Sequence, residues 1–524
     1  MTVVPKLNLS DLKSWELLKR YAADVLQNNK KQVSPKTKII SFNGVKFDIT
    51  NQLIDEDILA ALVNLANERG IDEKINKLIS GSKINKSENQ AALHINLRSP
   101  HIQENAKLED TFSLQFARMS SLEKSINSGQ RRGFNGKPFT DLVQIGIGGS
   151  HLGTKLLVEV LEHYAVSHLK IHLISNIDPA HFSESMKNLN PETTFFVVVS
   201  KSFGTQETQV NFESAKFWFS ERTNKPESFH KHCIAVTENL EAAKRFGINR
   251  ENTFAIPKEV GGRYSIWSAG SIAALIYLGS EVFLRFLDGA KKADEHFTLE
   301  KDKKINIPIL SSLISLWNYN LLGSKSQVIL AYNEKLKPLV DYLQQLEMES
   351  NGKSSSVDNE PIEHSTLPII WGGVGTSGQH SYLQNLHQGT NLFSASFYLA
   401  AQSEEDGLSH HQNWLLANAL AQSSTLRRGI QFNEQKELYR TLRGNHPSST
   451  ILLEKITPST IGTLLALQEH KVFCEGVLWD INPFDQWGVE QGKAVAKEVY
   501  KQINDRFTNS KESFFDSYHK FVNK

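Results

Sequence analysis

The chain has 524 residues, 40% of them hydrophobic and 22% charged, with 58 Lys and Arg against 57 Asp and Glu and a formal net charge of +1. This is the composition of a globular protein in water, and the length exceeds what one hydrophobic core supports, so two or three domains are expected. A balanced charge provides no field for nucleic acid or an anionic membrane surface, so any anion must be held by a local site.

In chain order, Met1 to Trp15 alternates polar and apolar residues, without the apolar core of a secretory signal. Residues 1–110 are mostly helical in pattern: Ile58 to Ala66 carries a helical apolar face, and Gly70 is placed to stop it. From about 140 the pattern changes. Leu142–Ile145 reads as a short buried strand, followed by a glycine loop and a helical run from Leu152 through Leu161. Strand-like runs recur at Ile171–Ile174, Phe195–Val199, Cys233–Val236 and Thr253–Ile256, most of them separated by helix-length segments. That alternation predicts parallel β-α-β units wound into an open sheet with helices on both faces. A second set lies at Val328–Tyr332, Pro368–Trp371 and Leu392–Ala395, with amphipathic segments at 411–422, 458–473 and 486–502 to cover it. The expected fold class is α/β, with two doubly wound parallel sheet domains and an N-terminal helical region. The expected boundaries are 1–110 for the helical part of the larger domain, 111–285 for the smaller domain, and 286–524 for the larger domain with its C-terminal helices. No Gly/Ser or Pro linker, repeat or run of eighteen apolar residues is visible. The two cysteines, Cys233 and Cys474, are far apart and in no metal-ligand spacing, which fits a reducing cytoplasm.

Six segments carry chemistry. Gly146-Ile147-Gly148-Gly149-Ser150 follows a strand and opens a helix, where backbone N–H groups bind anions. It nearly fits a dinucleotide fingerprint, but no clear ribose-binding acid ends the next strand. Ser200-Lys201-Ser202-Phe203-Gly204-Thr205 offers three hydroxyls and a Lys at a strand's carboxyl end. It suits a phosphate monoester, or equally a polar turn in which Thr205 caps a helix. Arg263, after Gly261-Gly262, can stabilise a developing oxyanion or pair structurally with a carboxylate. Gln345 and Glu349 share a helical face before a C-cap at Asn351-Gly352, and the negative helix end should raise the basicity of Glu349. Glu347, two residues away, projects about 200° round the same helix. His380 follows a glycine-rich run, and an imidazole at a helix start tends to stay neutral. Near the C-terminus, Gln486 and Lys493 are seven residues apart, hence on one face of a helix, and Gly488 and Gly492 between them suggest close packing.

These segments, IGIGGS, SKSFGTQET, GGRYSIWS, MESNGK, GTSGQH–LHQGT and DINPFDQWGVEQGK, occur in one order from residue 145 to residue 493 and resemble the glucose-6-phosphate isomerase (phosphoglucose isomerase) family. ENQAALHINLR (88–98) and LSHHQNWLLANALAQ (408–422) extend the likeness to most of the chain. The resemblance implies two sugar-isomerase sheet domains, a cytoplasmic homodimer, and a cofactor-free, metal-free aldose–ketose interconversion of glucose 6-phosphate and fructose 6-phosphate, a step of glycolysis and gluconeogenesis. By matching motifs it implies that Ser200, Lys201, Ser202 and Thr205 hold the phosphate, with Gly149, Ser150 and Gly262 lining the site. Glu349 is then the base that moves a proton between C2 and C1, and Arg263 stabilises the cis-enediolate. His380, lent across the dimer, and Lys493 open the sugar ring, while Gln345 and Gln486 position the substrate. The chain departs from the family pattern at Gln90, His151, Ser202, Gly204 and Gly373, which puts affinity rather than reaction type in question. A non-catalytic sugar-phosphate sensor would need the phosphate loop but not Glu349, His380 or Lys493. A metal-dependent isomerase would need clustered ligands, and His410-His411 is the only adjacent His pair.

Overall fold

The computed structural model describes residues 8–27, 39–98, 106–430 and 435–507, so the first half of the Met1–Trp15 reading lies outside the described residues. Contacts divide the chain into a large unit, Met1–Pro483, and a C-terminal unit beginning at Phe484.

The N-terminal region is not helical alone. Ile39–Phe42 (β1) and Val45–Asp48 (β2) form an antiparallel hairpin. Its turn is Asn43-Gly44, with φ of 43° and 76°; two successive positive φ values are what a two-residue hairpin turn requires, and Asn-Gly supplies them at least cost. That dipeptide, followed by the alternating Val45 and Phe47, was the available signal for the hairpin. The helix expected at Ile58–Ala66 runs from Glu56 to Glu68, capped by the Asp55 carboxylate on the Ile58 N–H (2.9 Å), and Gly70 at φ 65° breaks it from the next helix.

Five strands build the smaller sheet: β3 (Asp141–Ile145), β4 (Lys170–Ile174), β5 (Thr194–Val199), β6 (Cys233–Val236) and β7 (Thr253–Phe254). All pair in parallel, in the order β4-β3-β5-β6-β7. Every residue of β5 is buried, as a strand covered by helices on both faces must be. The larger sheet adds β8 (Ser326–Tyr332), β9 (Ile369–Val374), β10 (Ser394–Ala400) and β11 (Ser448–Leu453), in the order β1-β2-β11-β10-β8-β9. Its last four strands are parallel, but β2 joins β11 antiparallel, so this sheet is mixed where a purely parallel one was expected. The β11 strand, Ser448-Ser449-Thr450-Ile451-Leu452-Leu453, also escaped the sequence reading, although its Thr and Ile favour a strand.

Helices cover the sheets as their periodicity predicts. The 411–422 segment is the core of a helix from Ser409 to Arg428 whose Leu415, Leu416, Ala419 and Leu426 pack on Val328, Leu330 and Phe397. The 458–473 segment is a helix from Pro458 to Trp479, begun by a Thr457–Thr460 capping box and buried along nearly its whole length. It crosses the helix Ser280–Leu299 at backbone contact. A Cβ on Gly289 would lie 1.9 Å from the Ser459 carbonyl, and one on Gly462 1.9 Å from that of Phe286. The boundaries expected at 110 and 285 fall inside the helices Ala106–Asn127 and Ser280–Leu299. Among the described residues no helix is long and apolar enough to cross a membrane. Both cysteines are buried free thiols.

Candidate active site

Counted along the chain, the smaller sheet has the order 2-1-3-4-5, so consecutive connections leave β3 and β5 in opposite directions. In open α/β sheets the crevice at such a reversal, outside the carboxyl ends of the strands, is where ligands bind. Both loops singled out in the sequence end there. Gly146 follows β3, and a Cβ on it would meet the Ser150 carbonyl at 2.5 Å and that of Val199, at the end of β5, at 3.2 Å. Ser150 opens the way to the helix Leu152–Val160, and its carbonyl accepts from the Gln144 amide at 2.8 Å.

The loop after β5 is a tight hydroxyl-lined turn. The Ser200 hydroxyl lies 3.4 Å from that of Thr205, and Ser202 Oγ accepts from the Gly204 N–H at 3.1 Å. Phe203 at its centre has φ 52°, a conformation that costs a non-glycine residue, and its buried ring packs at 5.3 Å on Phe246. The hydrophobic anchor holds the turn, with Ser200 buried, Thr205 half-buried and Ser202 exposed. Thr205 stands at the N-cap of the helix Gln206–Thr223, yet its side chain makes no capping bond. The plain turn alternative required that bond. Lys201 Nζ instead donates to the Lys258 carbonyl at 2.7 Å, with Glu238 at 3.9 Å.

A second group gathers around Arg263. Gly149 has to be glycine: a Cβ there would sit 2.2 Å from the Gly262 carbonyl carbon and 2.6 Å from the Arg263 nitrogen. This close approach brings the first glycine loop against the turn Gly262–Trp267. Arg263 is 3% exposed; its Nε donates to Ser350 Oγ and its Nη2 to the Pro483 carbonyl, both at 2.6 Å, and its Nη1 lies 3.8 Å from a Glu349 oxygen. Glu349 and Gln345 lie on one face of the helix Lys337–Asn351, the Gln345 amide donating to the Glu349 carboxylate at 2.9 Å. A Cβ on Gly148 would be 3.1 Å from that same amide nitrogen, so Gln345, Glu349, Arg263 and the 148–149 backbone converge. Glu347 points elsewhere: its carboxylate is buried and paired with Lys471 at 2.6 Å, and Lys471 also meets Glu475 at 3.2 Å. At the helix end, Lys353 Nζ donates to the carbonyls of Glu349 (2.9 Å) and Ser350 (2.8 Å). An ammonium thus offsets the negative helix end on which the sequence argument for Glu349 relied.

The remaining candidates are placed differently. His380 caps the C-terminal end of the short helix Gly375–Gln379, not a helix start, so the argument for a neutral imidazole does not apply there. It is exposed, and among the described residues no hydrogen bond joins it to Glu349, Arg263 or the Ser200 loop. The glycines before it serve packing, since a Cβ on Gly375 would strike the Tyr332 ring at 2.4 Å and one on Gly372 the Ile329 carbonyl at 2.0 Å. In the C-terminal unit, Gln486 precedes a 3-10 turn, Trp487–Val489, and Lys493 lies on the helix Glu490–Phe507 that follows. The two therefore do not share a continuous helical face. Lys493 pairs with Glu490 at 2.7 Å, and the residues from Trp487 to Glu498 are exposed where periodicity predicts a buried stripe. A Cβ on Gly488 or Gly492 meets nothing within 4 Å among the described residues, which removes the close packing inferred for them.

Of the departures from the family pattern, His151 is the most perturbed. Burial, with Lys155 and His181 nearby, pushes its pKa down to about 4, and its Nδ1 has no partner among the described residues. Gly373 stands where a Cβ would be 3.2 Å from the Tyr382 hydroxyl. The sequence reading missed Ser350, Tyr264 and Lys353. Ser350 and Lys353 lie inside the MESNGK motif and Tyr264 inside GGRYSIWS, but no local spacing says which partner each finds. Among the described residues no three His, Cys, Asp or Glu side chains are grouped to hold a metal ion.

The family model of phosphoglucose isomerase matches residues 48–520. Glucose-6-phosphate isomerase of Buchnera aphidicola subsp. Schizaphis graminum is 39% identical over 99% of each chain. That of Helicobacter pylori strain Shi470 is 38% identical over 98% of this chain and 96% of its own. A crystal structure of a glucose-6-phosphate isomerase from Chlamydia trachomatis superposes with a TM-score of 0.85 at 30% identity, covering 99% of this chain and 100% of that one. With the motifs in order, a family model matched over residues 48–520 and relatives matched end to end, the chain belongs to the phosphoglucose isomerase family.

Proposed function

We infer that this protein is an aldose–ketose isomerase that interconverts glucose 6-phosphate and fructose 6-phosphate reversibly. The observation that carries the reading is the convergence of Glu349, oriented by Gln345 at 2.9 Å, with the buried Arg263 guanidinium 3.8 Å from its carboxylate, beside the glycine backbone at 148–149. Moving hydrogen between adjacent carbons asks for one base that takes the C2 proton and returns it at C1. Glu349 is that base. As the C2–H bond breaks, its electron pair forms the enediolate and the carbonyl oxygen takes up negative charge, which Arg263 stabilises because it stays cationic at any working pH. Transfer of the O2 proton to O1 and return of the proton from Glu349 to C1 re-form the carbonyl at C2 and give the ketose.

The phosphate sits at the Ser200–Thr205 turn, held by the hydroxyls of Ser200, Ser202 and Thr205 and by backbone N–H groups at the start of the helix Gln206–Thr223. The uncapped Thr205 side chain supports this. The Lys201 ammonium would have to leave the Lys258 carbonyl to join it. Gly149, Ser150 and Gly262 line the sugar. Ring opening, which needs an acid and a base, belongs to His380 and Lys493, with Gln486 positioning the substrate; these three rest on the motifs they share with the family. The protein works as a cytoplasmic homodimer in which His380 serves the neighbouring subunit's site. No cofactor is needed for this chemistry.

A coupled assay converting fructose 6-phosphate to glucose 6-phosphate, run with and without EDTA, tests the reading. Turnover insensitive to chelator is expected. Absence of turnover, or activity lost to EDTA and restored by a divalent ion, overturns it in favour of a sensor or a metal-dependent isomerase.

A further inference from the structure

The guanidinium that faces Glu349 is set by a hydrogen-bonded ring of groups outside the substrate's reach. Arg263 Nε donates to Ser350 Oγ at 2.6 Å, Ser350 Oγ is 2.9 Å from the Tyr264 hydroxyl, that hydroxyl is 3.2 Å from the Pro483 carbonyl, and Arg263 Nη2 returns to the same carbonyl at 2.6 Å. The direction of every bond in this ring is fixed by chemistry. Arginine has only donors and a carbonyl only lone pairs. Ser350 therefore accepts from Arg263 and turns its own hydrogen to Tyr264, and Tyr264 donates to Pro483. With all four bonds made, the single hydrogen of Tyr264 is committed to the Pro483 carbonyl, so the hydrogen between the two hydroxyls comes from Ser350.

The setting makes the ring stiff. Ser350 is fully buried, Tyr264 is 1% exposed, and burial pushes the Tyr264 hydroxyl up to about 12, so it keeps its proton throughout the physiological range. The Tyr264 ring is further held against His94, with centroids 4.7 Å apart. Ser350 directly follows Glu349 on the helix Lys337–Asn351, so the chain segment that presents the carboxylate also grips the guanidinium. A small shift of that helix would carry both groups together.

Resting on the isomerase reading above, we propose that Ser350 and Tyr264 are positioning residues that lock the plane of the Arg263 guanidinium, so that its Nη1 edge is aimed at the enediolate before substrate arrives. Catalysis by fixed dipoles and charges depends on their being oriented in advance, and a guanidinium free to swing on its long side chain would have to reorganise in each turnover. Arg263 alone supplies the charge. The two hydroxyls supply its direction.

Steady-state kinetics on fructose 6-phosphate are measured for Tyr264→Phe, Ser350→Ala and Ser350→Thr, with the affinities of two ligands. Glucitol 6-phosphate carries the phosphate and hydroxyls without the enediolate charge; a phosphosugar hydroxamate carries a planar anion in its place. Tyr264→Phe and Ser350→Ala should each lower kcat by about 10-fold or more with KM within about 3-fold, and hydroxamate affinity should fall by the same factor as kcat. Affinity for glucitol 6-phosphate should hold, and Ser350→Thr, which keeps the hydroxyl, should restore most of the rate. A kcat within about 2-fold of wild type in both single variants, or an equal loss of affinity for the two ligands, overturns the proposal. Should Ser350→Ala not fold, Tyr264→Phe, which removes a single oxygen, decides alone. Turnover by the wild type tests the isomerase reading, whereas the ratio of the two ligand affinities between variant and wild type tests the ring.

Discussion

Exchanging one carboxylate oxygen for an amide at Glu349 and at Glu347 should separate catalysis from stability within a single helix. Glu349 is 25% exposed and 3.8 Å from its cationic neighbour, so Glu349→Gln removes a partly solvated ion pair worth about 1 kcal/mol or less. The Gln345 amide, now 2.9 Å from the carboxylate, can still bond the new side chain's carbonyl. Folding and phosphosugar binding should survive, while isomerisation falls by at least ~10³-fold, equivalent to about 4 kcal/mol of barrier. Glu347 is 1% exposed with its oxygen 2.6 Å from Lys471, and Lys471 is buried between it and Glu475. Glu347→Gln replaces a charge-assisted hydrogen bond to Lys471 by a neutral one while Glu475 at 3.2 Å still pairs the ammonium, a change that costs about 1.5–3 kcal/mol. Its folded fraction should turn over within a few-fold of wild type while the thermal midpoint drops by several degrees. The coupled assay, solvent exchange of C2 deuterium and thermal unfolding of both variants decide the matter. If Glu349→Gln still exchanges the C2 hydrogen at the wild-type rate, the base is another residue. If Glu347→Gln melts like wild type but loses turnover, the division between the two carboxylates is wrong.

Arg263→Lys should cost about 10²–10³ in kcat with little change in KM, because an ammonium cannot reach Ser350, Pro483 and the enediolate at once; a rise in KM alone would make Arg263 a ground-state contact. Free fructose should be a very poor substrate, and Thr205→Val should weaken fructose 6-phosphate binding without destabilising its helix, since the hydroxyl makes no cap bond. His380→Ala should retain more activity on substrate already in the open-chain form, and mixing it with Glu349→Gln subunits should restore some activity in verified heterodimers. Stability should fall as pH drops. Burial of His446, stacked at 4.1 Å on Phe393, and of His151 pushes both down to about 4 from an ordinary value near 6.5. Above pH ~6.5 neither state carries the proton. Between there and pH ~4 only the unfolded chain takes it, so up to about 3 kcal/mol per group is lost across that window and no more below it. His446→Phe should flatten the difference in urea midpoint between pH 7 and pH 4, and an unchanged slope would refute the assignment.

What the sequence determined by itself is local. Hydrophobic runs such as Phe195–Val199 report burial on both faces of a parallel strand, and the glycine and hydroxyl loops that follow β3 and β5 are legible as polar turns before helices, where anion binding and plain helix capping are equally open. The i, i+4 spacing of Gln345 and Glu349 likewise predicts their contact, because helix geometry alone brings those side chains together. The β1–β2 hairpin was legible too, in Asn43-Gly44, but was outweighed by the helical patterning on either side of it. Periodicity failed at the Gln486–Lys493 segment, where it assumes an unbroken helix and the chain instead begins with a 3-10 turn. Only tertiary structure decided the partners of the two acids on that helix: Glu349 meets Arg263, 86 positions away in the chain, and Glu347 meets Lys471 at 124. It also decided how Arg263 is held, since Ser350 and Pro483 lie 87 and 220 positions from it. Such partners are chosen by how helices pack between sheets, and packing is a property of the whole core that no window of neighbouring residues contains.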